Sequence, residues 1–143
     1  MKRSWLMRAG TLPVLISAFQ LFSVSAFGAV PAQDAVDAVV GEAAGSPYIV
    51  KLGVAEAIRN RHSLRGVYGF HAKHNATEPA RVWADARRAV SESATSTVTK
   101  GATNFGNWLD VLKGTFKGMT LTVVLGTGKQ ATYFFKSHRD LAS

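Results

Sequence analysis

Apolar positions recur along this chain with two different periods, helical first and strand-like later. Ala35, Ala38 and Val39 fall at i, i+3 and i+4 on one helix face, and Glu42 continues that face at i+7. This predicts a helix over about Ala35 to Ala44, with Asp34 as cap, Asp37 in the favourable first turn, and Gly45 and Pro47 as the stop. Ser46 then reads as the cap of a second helix with Pro47 at its first position. Val50, Val54, Ala57 and Ile58 form its apolar stripe, and Arg61 projects onto the same stripe one turn on. Glu56 and Asn60 share a different, mixed face with Gly53, which predicts a surface position for Glu56. The segment SLRGVYGFHAKHNA has no steady period and reads as a loop. A third helix is predicted over about Glu78 to Glu92, capped by Thr77. Pro79, Val82, Trp83, Ala86, Ala89 and Val90 make its buried stripe, with Arg81–Asp85 and Arg88–Glu92 as i, i+4 pairs outside.

The second half changes character. SATSTVTKGATNFGN is a long polar segment, and a small domain rarely carries one that long without using it. WLDVLKG fits one or two helical turns. MTLTVVLG alternates Leu121, Val123 and Leu125 with Thr120, Thr122 and Val124, and ATYFFK reads as a second strand, with GTGKQ as the hairpin turn between them. GTGK lacks the spacing and following helix of a phosphate-binding loop. Helices followed by a hairpin predict a small α+β domain.

Composition and charge add context. The chain has 143 residues, enough for one small domain with a modest core. Lys2, Arg3 and Arg8, the apolar run LPVLISAFQLF and the small residues of VSA (Val24–Ala26) make the three-part pattern of a secretory signal peptide. The run is short for a bilayer span and is broken by Ser17, Gln20, Ser23 and Ser25. The expected organisation is therefore a signal peptide over 1–26, a linker over 27–33 and a domain over 34–143. Cleavage after Ala26 would lower the formal charge from +8 to +5 by removing Lys2, Arg3 and Arg8. An exported, mildly basic chain suits an anionic partner such as cell-wall polymer, and export argues against nucleic acid. No cysteine is present, which excludes disulfides and thiolate metal sites. His71 and His74 at i, i+3 lack a third ligand, so a solvated loop is expected there and no metal. Asn75–Thr77 matches a glycosylation sequon, which matters only in a eukaryotic secretory route.

Most of the nine acidic residues have an evident scaffold role; Glu42, Glu56 and Asp110 are left. Glu56 suits the surface and Asp110 a short-helix start. Glu42 is the worst placed for helix stability. It lies near a helix C-terminus, where the macrodipole disfavours negative charge by roughly 0.3–1 kcal/mol. Gly41 beside it weakens the helix by roughly 0.5–1 kcal/mol relative to alanine, but permits close approach of another chain or a ligand. A carboxylic acid in an apolar cleft can keep its proton near neutral pH and act as a general acid. Pairing with a base such as Arg61 explains the same position equally well. No second carboxylate is evident; inverting and most retaining glycosidases need two acids flanking the bond, whereas a transglycosylase can manage with one.

The ordered motifs VVGEAAGSPY, GVAEAIRNR, GATNFGN and ATYFFKS resemble the cell wall hydrolase family of the spore-cortex-lytic enzymes, over about Ala38 to Ser137. The resemblance implies a lysozyme-like fold and cleavage of peptidoglycan between N-acetylmuramic acid and N-acetylglucosamine, leaving 1,6-anhydro ends, without a cofactor. It places the catalytic acid on Glu42 and a supporting Asn-Arg pair on Asn60 and Arg61. It puts substrate contacts on Thr103, Asn104, Phe105 and Asn107 of the Gly101–Asn107 loop, and on Tyr133. The chain departs from the family where a Gln-Phe-Ser motif is common, reading YGFHAKHNA, and has Thr132 where the last strand often has His. The expectation is an exported monomer of the periplasm, cell envelope or exterior that acts on peptidoglycan, does not bind nucleic acid and is not inserted in a membrane after signal cleavage. The alternatives are a non-catalytic wall-binding module of the same fold, and a muramidase in which Asp110 places the water.

Overall fold

Three helices bury their apolar stripes mainly against one another. The computed structural model describes residues 30–141; the signal peptide expected over 1–26, and residues 27–29 of the expected linker, lie outside them, while the first helix begins inside that linker at Ala32. Helix α1 spans Ala32–Ala43, α2 Tyr48–Arg61 and α3 Ala80–Glu92, and each packs on the other two. The core lies between them. Ala35, Val39, Val50, Val54, Ile58, Ala86 and Ala89 are all at 1% exposure or less. Ala35, Ala38 and Val39 of the expected α1 stripe and Val50, Val54, Ala57 and Ile58 of the α2 stripe are buried, whereas Glu42 at the end of the first is exposed and Arg61 at the end of the second is half-buried.

Helix starts differ from expectation. Prolines, not side-chain caps, precede all three helices: Pro31, Pro47 and Pro79 sit at the N-cap with no side-chain hydrogen bond. Asp34 instead lies in the first turn of α1, where its charge suits the dipole, and Thr77 donates its hydroxyl to the His74 carbonyl. Helix α2 ends at His62, in the left-handed region (φ 55°), whose N–H returns to the carbonyls of Ile58 and Arg59. On the outer side Arg88 Nε donates to Glu92 at 2.8 Å as expected. Asp85, however, meets the buried Lys51 Nζ at 3.4 Å rather than Arg81. The Tyr48 hydroxyl donates to Glu92 at 2.7 Å, and burial and that neighbouring carboxylate push the phenol up to about 12.

The predicted hairpin is present and gains a third strand. Strands β1 (Asn104–Gly106), β2 (Thr120–Leu125) and β3 (Thr132–Lys136) form an antiparallel sheet in the order β1-β3-β2. β1 comes from the polar segment that the sequence reads as a loop. Helix α4, Trp108–Leu112, follows it. The turn between β2 and β3 is longer than a tight hairpin, with a 3-10 turn at Gly128–Gln130, and the Gln130 side chain donates to the Gly45 carbonyl. Phe134 of β3 is fully buried against the helices; side chains of this size gain roughly 1.5–3 kcal/mol on burial. Gly53 of α2 admits it, since a Cβ there would lie 2.7 Å from the Phe134 ring and from Leu125. The chain is therefore α+β, helices followed by a small C-terminal antiparallel sheet.

A register shift between Leu121 and Val123 alters the strand alternation. Val123 and Leu125 pack on the core, while Leu121 is 48% exposed. Thr122 uses the irregularity, donating its hydroxyl to the carbonyls of Thr99 and Phe134.

Glu56 corrects the sequence expectation most sharply. It is 1% exposed, not at the surface. Its carboxylate accepts the Ser96 hydroxyl at 2.6 Å and both the hydroxyl (2.5 Å) and N–H (3.2 Å) of Thr99. Buried charge is tolerated only when hydrogen-bonded in this way. Asn60 Nδ2 donates to the Ala102 carbonyl at 3.0 Å and Arg59 to that of Ser96. One side of α2 thus fastens the chain that leads into β1.

Candidate active site

A cavity of about 500 Å³ opens where the helices meet the sheet, within the size range of small-ligand sites. Helices α1 and α2, the loop after α2, the stretch from β1 to Met119, and Thr132 at the start of β3 line it. Glu42 comes from the last turn of α1 and Val54 and Arg61 from α2, Arg65 to Tyr68 from the loop that follows, and Asn104 to Asn107 with Asp110 and Phe116 from β1 and beyond.

The position of Glu42 is set by two glycines. A Cβ on Gly41 would overlap the Gly69 carbonyl, and a Cβ on Gly69 would lie 2.5 Å from the Glu42 nitrogen. The close approach that Gly41 permits is thus made by this chain's own loop. Backbone meets backbone there, and Glu42 Oε1 accepts the Gly69 N–H at 2.6 Å. The loop is tied twice more to α1. The Asp37 carboxylate accepts the His71 N–H at 2.6 Å, and the buried Asn75 amide donates to the Asp37 and Gly69 carbonyls and to Asp37 Oδ1. Asp37 therefore anchors the loop and is not a helix-start acid. His71 and His74 are exposed, and the described residues contain no group of three or more His, Asp or Glu suited to a metal ion.

Glu42 itself is exposed, so the enclosing apolar surroundings expected for it are not found. Its second oxygen, Oε2, accepts no hydrogen bond from the described residues. Arg61 stands near it. Burial lowers the Arg61 guanidinium from its ordinary value and the Glu42 charge partly restores it. Its Nε donates to the Ser63 carbonyl at 3.1 Å, while Nη2 is buried with no hydrogen-bond partner. No ion pair within 4.0 Å joins it to Glu42 among the described residues. Arg61 is thus a cavity-lining group, not one standing behind another residue.

No protein-family model, curated protein or solved structure matches this chain. The site is accordingly argued from its own geometry.

Among the residues expected to touch substrate, Asn104, Phe105 and Asn107 share the cavity with Glu42. Thr103 and Tyr133 do not line it: Thr103 is buried and bonded to β3 through its N–H, and Tyr133 lies beside Trp108, 6.1 Å between ring centroids. Asn60 is held on the Ala102 carbonyl, away from the lining. Asp110 lines the cavity but is engaged. It forms a capping box with Asn107, its Oδ2 accepting the Asn107 N–H at 3.0 Å while its own N–H donates to Asn107 Oδ1. Sequence reading missed Arg65, Phe116 and the Gly69 contact. Phe116 stacks on Phe135, ring centroids 4.3 Å apart, and packs so tightly on Gly106 that a Cβ there would lie 2.6 Å away. The glycine in NFGN was the available signal for that close approach. Nothing local marks Arg65.

The arrangement offers two carboxylates, Glu42 and Asp110, each anchored through one oxygen while the other accepts no hydrogen bond from the described residues, beside amide groups, aromatic edges and two guanidinium groups. That set can hydrogen-bond a polar ligand, and a carboxylate oxygen left open to that ligand can exchange a proton with it.

Proposed function

We propose that this chain is an exported peptidoglycan-cleaving enzyme with a lysozyme-like domain, acting as a lytic transglycosylase. The observation that carries the reading is that Glu42 lines one cavity together with Asn104, Phe105 and Asn107, the loop to which the family resemblance assigns the glycan. Glu42 Oε2 would protonate the glycosidic oxygen as the bond from muramic acid C1 breaks. The resulting carboxylate would then take the proton from the muramic acid C6 hydroxyl as that oxygen closes on C1, giving a 1,6-anhydro end and returning Glu42 to its starting form. Asn104 and Asn107 suit N-acetyl and hydroxyl groups, and Phe105 offers an apolar face to a sugar ring. No cofactor is needed for this chemistry. No helix among the described residues is long and apolar enough to cross a membrane.

Two other readings have an observation each. The Gly69 N–H on Glu42 is what a purely structural carboxylate would also show, which favours a wall-binding module without turnover. Asp110 lines the cavity as a water-placing residue of a muramidase would, although its capping role occupies one oxygen.

Digestion of purified sacculi, with the released muropeptides identified by mass spectrometry, separates the three. Anhydro ends are expected from the wild-type protein, and reducing ends would instead identify a hydrolase. Binding to sacculi without any release would leave only the binding module. Glu42→Gln keeps the acceptor for Gly69 N–H and should reduce release by at least about 100-fold; a fully active variant would remove Glu42 from the mechanism.

A further inference from the structure

Arg61 poses a problem that the proposed chemistry leaves unsolved. A guanidinium has five N–H donors, yet the described residues give this one a single hydrogen bond, to the Ser63 carbonyl, and bury Nη2 without a partner. A half-buried cation so poorly satisfied is costly unless something else completes it. The two carboxylates of the cavity do not do so. Glu42 Oε1 is taken by the Gly69 N–H and Asp110 Oδ2 by the Asn107 N–H, and neither forms an ion pair with Arg61. A second guanidinium lines the same cavity: Arg65 is exposed, and its side chain has no hydrogen-bond partner among the described residues. Two under-used arginines in one cavity match the planar fork that carboxylates accept in pairs of hydrogen bonds.

We infer that Arg61 and Arg65 form a carboxylate subsite beside Glu42, and that its ligand is the free lactyl carboxylate of muramic acid. This rests on the peptidoglycan reading and deepens it. In a strand that carries stem peptides the lactyl group is an amide, with no charge to offer. The subsite therefore selects strands stripped of their peptides, and it sets muramic acid rather than glucosamine next to the acid.

Three uncleavable disaccharides test this by chemical-shift titration of the protein. They are N-acetylglucosaminyl-N-acetylmuramic acid with a free lactyl group, the same sugar carrying an L-alanyl-D-isoglutamine peptide, and chitobiose. The free muramyl disaccharide should bind at least about tenfold tighter than chitobiose, with the peptide form close to chitobiose. Tighter binding of the peptide form would assign the anion to the stem peptide and overturn the lactyl assignment. Equal binding of all three would overturn the subsite but leave the glycan reading intact, whereas no binding of any would end both. Arg61→Met should abolish the preference for the free lactyl form over chitobiose, and a preference retained in that variant would sink the idea. Should that variant not fold, Arg65→Ala, at an exposed position, must lower the preference several-fold; an unchanged ratio would equally overturn the proposal.

Discussion

Residues 30–93 and the residues after Ser93 use their apolar side chains differently. Every buried hydrophobic residue belongs to the first region except Ala102, Phe134 and Phe135. The second region instead leaves Trp108, Leu109, Leu112, Leu121 and Val124 exposed, and α4 has no buried residue at all. The helices hold the fold, and the sheet region is attached through Phe134, through the strand irregularity at Thr122 and through the polar grip of Glu56. The cavity lies at the seam, with Glu42 and Arg61 on the rigid side and Asn104 to Asn107 on the attached side. Such a division places Glu42 where packing fixes it and the Asn104–Asn107 stretch where substitution is tolerated.

The largest expected effect on the junction of the two regions comes from cutting the polar grip between them. Glu56→Ala leaves both buried Thr99 donors, and the half-buried Ser96 hydroxyl, without their acceptor. The cost should be about 3 kcal/mol, since each buried donor left unsatisfied is expensive. Urea unfolding measures it; an unchanged midpoint would mean that residues 96–99 are held by something other than Glu56.

A smaller but more local effect is expected at the seam itself. Gly41→Ala drives a methyl into the Gly69 carbonyl, an overpacking that should cost about 2 kcal/mol and shift Glu42. Gly45→Ala is the control, because nothing lies within 4 Å of a Cβ there. Hydrogen exchange at the Gly69 amide reads the local event: protection by Glu42 should be lost in the first variant and kept in the second. Protection retained in Gly41→Ala would show that the two glycines do not set the acid's position.

The same contrast explains what the sequence made legible. Val50, Val54, Ala57 and Ile58 declare α2 by period alone, because a helix face is defined by neighbours a few residues apart. Glu56 was misread for the same reason: its local face is mixed, and the partners that bury it lie 40 and 43 residues along the chain. β1 is three residues long, too short for alternation to register, and exists only because Phe105 finds Phe134 across the sheet. Leu121 fits a perfect alternating pattern, yet the register shift after it breaks the pattern in space. At the site, the oddity of Glu42 beside Gly41 was visible in one dimension. The Gly69 contact, the orphan nitrogen of Arg61 and the capping use of Asp110 were not, since each depends on a residue that folding brings near or on local geometry that composition does not encode.

The smallest expected effect is the one that tests the comparison most directly. Leu112 is 62% exposed on α4, whereas Ile58 on α2 is at 0%. Truncating each to alanine removes a similar amount of hydrocarbon. At Ile58 the loss includes a cavity, and such changes cost about 2–5 kcal/mol. At Leu112 no cavity forms and alanine is the better helix former, so Leu112→Ala should change stability by less than about 0.5 kcal/mol. Denaturant midpoints of the two variants give the contrast. A loss at Leu112 approaching that at Ile58 would mean that α4 packs on something in solution, and the second region would then be a buried layer and not an exposed wall of the cavity.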